Sequence, residues 1–205
     1  FSADLSRLSL MMIKELPRDR IINLIRWWLN KNNILMPSKK TIDSLYEQII
    51  KIKKDNSLLI KISEKINVRA FQDELWLVKS EPYIESYEII WRGEDKIILP
   101  DQSQLIFRSV RGAGFSLEKL GVKALRIQNR IGGEKFKPSL NQPSRTLKYL
   151  LQKSKIPPWQ REKIPLIFSE DTLVAVPNFG VHHEFVADKE KNGLTIEWVN
   201  YEPQI

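Results

Sequence analysis

The side chains best equipped for chemistry in this 205-residue chain are cations, and they are bunched. Between Lys119 and Lys163 lie twelve basic residues: Lys119, Lys123, Arg126, Arg130, Lys135, Lys137, Arg145, Lys148, Lys153, Lys155, Arg161 and Lys163. Only Glu134 and Glu162 oppose them, so the segment carries +10 in a chain whose total is +8. Charge concentrated in this way is the footprint of a polyanionic partner rather than a solubilising coat. Every phosphate neutralised would release counterions, which predicts strongly salt-dependent binding. Phe136, Trp159 and the pair Gly132-Gly133 are interspersed among the cations. The mixture suits an RNA backbone better than a membrane or a small acid.

Other chemistries find little support. There is no cysteine, hence no thiolate nucleophile and no Cys-based zinc site. His182-His183 is the sole histidine pair; on a strand, neighbours point to opposite faces and make a poor joint metal site. Neither a GxxxxGK[ST] phosphate loop nor a nucleophilic serine motif occurs, and no catalytic or metal-ligating residue is assigned. Gly132-Gly133 has two readings, backbone amides approaching a phosphate or a plain turn. Trp159 likewise could stack on a base or pack on Pro157-Pro158. Trp27, Trp28, Trp76, Trp91 and Trp198 lie in apolar patterns and read as core or interface.

The elements that must position the cations can be read from periodicity. After Pro17 a helical pattern runs through Ile21, Ile25, Trp28 and Leu29 to the asparagines at 30, 32 and 33. Ser38 caps a second helix carrying Ile42, Leu45, Tyr46 and Ile49. Leu58–Ile62, Lys65–Phe71 and Leu75–Val78 read as short strands. Farther on, Val122 to Arg130 reads as a strand presenting Arg126 and Arg130 on one face. Ser144 is expected to cap a helix from Arg145 to about Ser154, with Leu147, Leu150 and Leu151 on one side. Arg145, Lys148, Tyr149 and Gln152 fall on the other side. Pro157-Pro158 opens a helical turn, and strands follow at Leu166–Phe168, Thr172–Val176, Val181–Val186 and Leu194–Val199, with Asn192-Gly193 as a hairpin turn.

The expected fold class is α+β in two small domains. Residues 1–80, net +6, form a helical pair with a short antiparallel sheet; 119–205 form a mixed sheet with one or two helices. Residues 81–118, net −3 and opening on Glu81-Pro82, are expected to connect them. No apolar run reaches the roughly 18 residues of a membrane span, and no signal-peptide pattern leads the chain. The absence of cysteine fits a reducing, cytoplasmic setting. Beginning at Phe1, the chain reads as a piece of something longer.

One long ordered run narrows the reading. Arg130-Ile131-Gly132-Gly133, Leu147-Lys148, Pro157-Pro158-Trp159-Gln160-Arg161 and Pro165-Leu166 resemble the C-terminal domain of bacterial tRNA(Ile)-lysidine synthetases. Ile25-Arg26-Trp27-Trp28-Leu29, Met36-Pro37-Ser38 and Leu75-Trp76-Leu77-Val78-Lys79 resemble that family's substrate-binding domain. The likeness is weakest over 81–118, and the family's SGGxDS phosphate loop is missing. It implies a substrate-recognition part without the ATP-pyrophosphatase domain, and a last domain like a module of the phenylalanyl-tRNA synthetase β subunit.

The same resemblance implies partners and roles. The intact family enzyme is a ligase that adenylates the wobble cytidine of tRNA(Ile) with a CAU anticodon, using ATP with magnesium. Lysine then displaces AMP to give lysidine. This chain alone is expected to be inactive and to hold no cofactor; its partners would be that tRNA, gripped by the acceptor stem, and its own N-terminal catalytic domain. The expected backbone contacts are Arg130, Lys135, Lys137, Arg145, Lys148 and Arg161, extended by Lys153 and Trp159. Arg26, Lys39 and Lys40 form a secondary set in the first unit. The rival readings are a non-catalytic protein-interaction module and a general basic RNA-binding domain. Oligomeric state is not legible in the sequence.

Overall fold

Ser9 is the hinge between the first two elements of the computed structural model, which describes residues 6–53, 58–80, 85–121, 124–141 and 143–200. It ends β1 (Arg7–Ser9), and its hydroxyl accepts from the Met12 amide at 3.4 Å to cap α1 (Leu10–Lys14). Elements this short carry no periodicity, which is why pattern reading passes over them. α2 (Arg18–Lys31) and α3 (Lys39–Lys51) follow where the sequence places them. Ser38 caps α3 by accepting from the Thr41 amide at 3.2 Å. At the end of α2, the Asn32 side chain donates to the Trp28 carbonyl at 2.8 Å, and Asn33 turns the chain at φ 55°.

These helices are held by packing more than by propensity. Ile21, Ile25, Trp28 and Leu29 of α2 and Ile42, Leu45 and Ile49 of α3 are all buried, each contributing about 1.5–3 kcal/mol by leaving water. Their partner is an antiparallel sheet of β2 (Leu58–Lys61), β3 (Ile66–Phe71) and β4 (Glu74–Lys79) in the order β1-β4-β3-β2. Alternation delivers Leu58, Ile60, Val68, Ala70, Leu75 and Leu77 to the same core. This is the expected α+β arrangement, extended by β1 on the sheet edge.

The chain divides into two compact units between residues 83 and 84. The stretch expected to be a connection therefore belongs in large part to the second unit. β5 (Glu88–Trp91), β6 (Lys96–Ile98), β7 (Gln104–Arg111) and α4 (Leu117–Leu120) all come from it. Acids of this stretch serve the folded unit: Glu88 on β5 pairs with Arg126 at 3.0 Å, and Glu94, in the turn before β6, accepts from the Arg92 amide at 2.6 Å.

Two sheets and a small appendage build this unit. β8 (Leu125–Gln128) joins β5 to β11 (Leu166–Ser169), and the sheet continues through β12 (Thr172–Val176) to β13 (Gly180–Val181). The expected start of β8 at Val122 lies partly outside the described residues. β7 pairs with β6 and, over eight residues, with β14 (Asn192–Val199). β9 (Lys135–Phe136) and β10 (Arg145–Thr146) form a separate pair, followed by α5 (Leu147–Lys153) and α6 (Pro158–Arg161). β11 is buried along its whole length because it separates two cores. Ile167 packs with Leu125, Ile127, Leu105 and Phe107 on one side, while Leu166 and Phe168 pack with Phe136, Leu147 and Leu151 on the other.

Three local expectations are corrected. The helix at 147 is capped by Thr146, whose hydroxyl accepts from the Tyr149 amide at 3.3 Å; Ser144 and Arg145 precede it, Arg145 in β10. The strand expected at Val181–Val186 stops at Val181 and gives way to a 3-10 turn at His183–Phe185, because His182 and His183 direct their amides to Val174 and Lys137. Asn192-Gly193 is no hairpin turn: Gly193 pairs with Val110 inside β14, and the turn lies at 188–191. A Cβ on Gly193 would stand 2.1 Å from the Ala113 carbonyl oxygen, so the glycine serves a close backbone crossing.

Candidate nucleic-acid interface

Three of the expected RNA contacts are occupied inside the protein. Arg130 has a side chain only 12% exposed; it pairs with Glu134 at 3.3 Å and donates from Nη1 to the Arg161 carbonyl at 3.3 Å. Arg161 is buried, and its Nε donates to the Ile156 carbonyl. Burial first, then the neighbouring Arg130 charge, lowers its pKa, though a guanidinium remains protonated. Trp159 is 7% exposed on α6. The second motif reading, packing, holds for this tryptophan, and the cations beside it belong to the scaffold.

The Gly-Gly turn is closed in the same way. Gly132 (φ 100°) and Gly133 (φ 82°) adopt backbone that favours glycine, and this lets Glu134 fold back. Its carboxylate accepts the amides of Ile131 at 2.9 Å and Gly132 at 2.7 Å. Burial alone would raise the Glu134 pKa, but these amides, its own amide and the Arg130 charge together hold it below the ordinary carboxylate value. The Gly132 amide, a candidate for phosphate, is therefore committed to Glu134.

The remaining cations come together on one supersecondary unit. β9 and β10 pair with Lys135 opposite Thr146 and Arg145 opposite Phe136, and the Leu147 amide donates to the Glu134 carbonyl at 2.7 Å. This fixes the start of α5. Leu147 and Leu151 bury themselves against Phe136, which turns Lys148 and Tyr149 to solvent. The Arg145 guanidinium lies over the Tyr149 ring, 5.8 Å from its centroid. Lys153 follows Tyr149 by one helical turn and is exposed. Lys135, Arg145 and Lys148 are exposed as well, and Lys137 is half-buried.

None of these five cations has an acidic partner among the described residues. Lys119 and Arg126, by contrast, are tied to Asp188 at 2.8 Å and Glu88 at 3.0 Å. The cationic surface is thus narrower than the basic run and is centred on Lys135, Arg145, Lys148 and Lys153. Sequence reasoning missed its aromatic. Tyr149, half exposed, had been placed on the polar helix face, yet its aromatic ring among cations was the available signal. Arg26, Lys39 and Lys40 are exposed on α2 and α3 of the first unit.

The histidines also depart from expectation: their rings stack at 4.8 Å instead of pointing apart. The His182 pKa is lowered, chiefly by burial and then by His183 and Lys137, against an opposing pull from Glu184. Among the described residues no group of three His, Cys, Asp or Glu could hold a metal ion, and no helix is long and apolar enough to cross a membrane. Exposed cations flanking an exposed aromatic ring can grip phosphates and stack on a base or ribose.

The second unit is thus an α+β unit with antiparallel sheets that carries a basic surface on a β-pair and a short helix. Comparison with known families places both units. The model described as TilS substrate binding domain matches residues 8–76, and that described as TilS substrate C-terminal domain matches 125–198. The chain belongs to the TilS family through these two domains.

Curated relatives include the tRNA(Ile)-lysidine synthase of Nitrosomonas europaea, 29% identical over 195 residues. That match covers 94% of this chain and 42% of the relative. The synthase of Buchnera aphidicola is also 29% identical, with 94% and 44% covered, and that of Legionella pneumophila strain Lens is 30% identical, with 84% and 39% covered. The chain thus spans about two-fifths of the relatives' length. A crystal structure of a TilS C-terminal domain covers 58% of this chain and 99% of its own at 14% identity, with a TM-score of 0.45.

Proposed function

We propose that this chain is a tRNA-gripping part of a lysidine-forming ligase. In the whole protein it would hold tRNA(Ile) with a CAU anticodon so that the wobble cytidine reaches a catalytic domain using ATP, magnesium and L-lysine. Holding a substrate far from the reacting atom contributes to rate by positioning. The observation that carries this reading is the Arg145–Tyr149 stack, flanked by the unpaired cations Lys135, Lys148 and Lys153. Duplex RNA is gripped through phosphates and 2′-hydroxyls, for which such a surface suffices. ATP and magnesium are assigned to residues beyond these 205, the chain alone is expected to form no lysidine, and the setting is expected to be cytoplasmic.

The test is an electrophoretic shift series with cognate and non-cognate tRNA at two ionic strengths. The expected result is tighter binding of the cognate tRNA, with log affinity falling linearly in log salt at a slope of about −2 to −4 if three to five phosphates are engaged. Binding indifferent to salt would remove the argument. A tight protein partner, with tRNA bound no better than any polyanion, would favour an interaction module instead.

A further inference from the structure

A cleft of about 370 Å³ opens beside the cationic surface, and its chemistry differs from that of the surface around it. Lys135 lines it from β9, Ser144 from just before β10, Asp171 from the turn between β11 and β12, Thr172 from the start of β12 and His182 from the segment after β13; Phe168 forms part of its apolar wall, and Glu134, already spent on Arg130 and two backbone amides, borders it as well. The Asp171 carboxylate, the Ser144 and Thr172 hydroxyls and the Lys135 ammonium have no hydrogen-bond or ionic partner among the described residues. Their bonding capacity is unspent, and it converges on one space.

Asp171 is the informative group. An ionised carboxylate only accepts hydrogen bonds, so it repels the phosphates that the neighbouring cations attract. A surface meant for backbone alone gains nothing from it. The turn sets its backbone position, since Ser169 pairs with Thr172 and Arg126 donates to the carbonyl of Glu170, while its side chain is exposed. An unspent acceptor beside a lysine selects a ligand that carries negative charge at one end and hydrogen-bond donors at the other. A nucleotide is such a ligand.

We propose that this cleft receives one unpaired nucleotide of the bound RNA and prefers guanine, a proposal that rests on the RNA-gripping reading above. Guanine presents two adjacent donors, N1–H and the N2 amino group, to the two oxygens of Asp171. Cytosine and adenine present a single amino group beside a ring acceptor, and the lone N3–H of uracil is flanked by two carbonyls that repel a carboxylate. Lys135 meets the nucleotide's phosphate, and Ser144 and Thr172 are placed for ribose or base-edge contacts.

The test uses the whole 205-residue chain and four RNA hairpins that differ only in a single bulged nucleotide, with affinity read by fluorescence anisotropy at fixed ionic strength. The guanine bulge should bind roughly tenfold more tightly than the uracil bulge. Asp171→Asn should bring the four to within about twofold of one another, and Asp171→Glu should restore part of the preference. Lys148→Ala should weaken all four in parallel. Equal binding of the four hairpins by the unaltered chain overturns the guanine site and leaves RNA gripping intact. So does an Asp171→Asn variant that loses the same factor on every hairpin. If the chain binds none of them, RNA gripping fails and the cleft proposal falls with it.

Discussion

Glu134 reaches back to Arg130 across the Gly-Gly turn at 3.3 Å, with side chains only 6% and 12% exposed. Since the same carboxylate takes two backbone amides, the motif is a closed structural loop. Removing either partner leaves a largely buried charge unmatched. Arg130→Ala should therefore destabilise the second unit by roughly 2–4 kcal/mol in urea titration. An unchanged unfolding midpoint together with lost tRNA binding would show that Arg130 contacts RNA after all.

The same loop sets a pH dependence. Its folded-state pKa is held below the ordinary carboxylate value, so the stabilisation from Glu134 is complete above about pH 4.3 and lost as pH falls through the folded value. Glu134→Gln should cost about 1–3 kcal/mol at pH 7. The gap between variant and parent should close as urea titrations are repeated toward pH 3. A gap that stays constant would mean the carboxylate's charge contributes nothing.

Arg145 and Lys148 are exposed, and neither has an acidic partner among the described residues. Alanine at either position should leave stability within about 0.5 kcal/mol of the parent. Each should make the log-affinity against log-salt plot for tRNA shallower by about 1. Parallel plots with an unchanged slope would take these two residues off the phosphate surface.

The two aromatics of the basic run should behave oppositely. Tyr149→Ala is expected to weaken tRNA binding roughly tenfold, through lost stacking, without moving the thermal midpoint. Trp159→Ala, at a 7% exposed position, should cost about 3–5 kcal/mol of stability. If their effects were exchanged, the aromatic at the interface would be Trp159.

Gly193 separates the two readings of an Asn-Gly pair. In a hairpin turn alanine would cause mild strain, but here its Cβ would stand 2.1 Å from the Ala113 carbonyl oxygen and must displace backbone. Gly193→Ala should destabilise by on the order of 3 kcal/mol, measured by thermal melting. A cost near zero would show that the segment at 113 yields to admit a methyl group.

Much was legible before any coordinates. The stripes of α2 and α3, the Ser38 cap and the strands of the first sheet follow from local rules, because a helix face or strand face is set by residues a few positions apart. The second unit resisted in places. β5, β6 and β7 sit in an acidic stretch that reads as a linker, since β5 and β7 find their partners β8 and β14 far along the chain. Gly193 looks like a turn until the segment at 113 is seen to cross it.

The concentration of positive charge between 119 and 163, and the family likeness carried by Arg130-Ile131-Gly132-Gly133 and Pro157-Pro158-Trp159, were determined by the sequence alone. Which cations face solvent was decided only by the tertiary structure. Charge is a property of a side chain, but availability depends on what folds against it: Glu134 and two backbone carbonyls claim Arg130 and Arg161, while among the described residues no acid pairs with Arg145 or Lys148. A one-dimensional count adds such residues equally, and only three-dimensional pairing separates those that hold the protein together from those left to solvent.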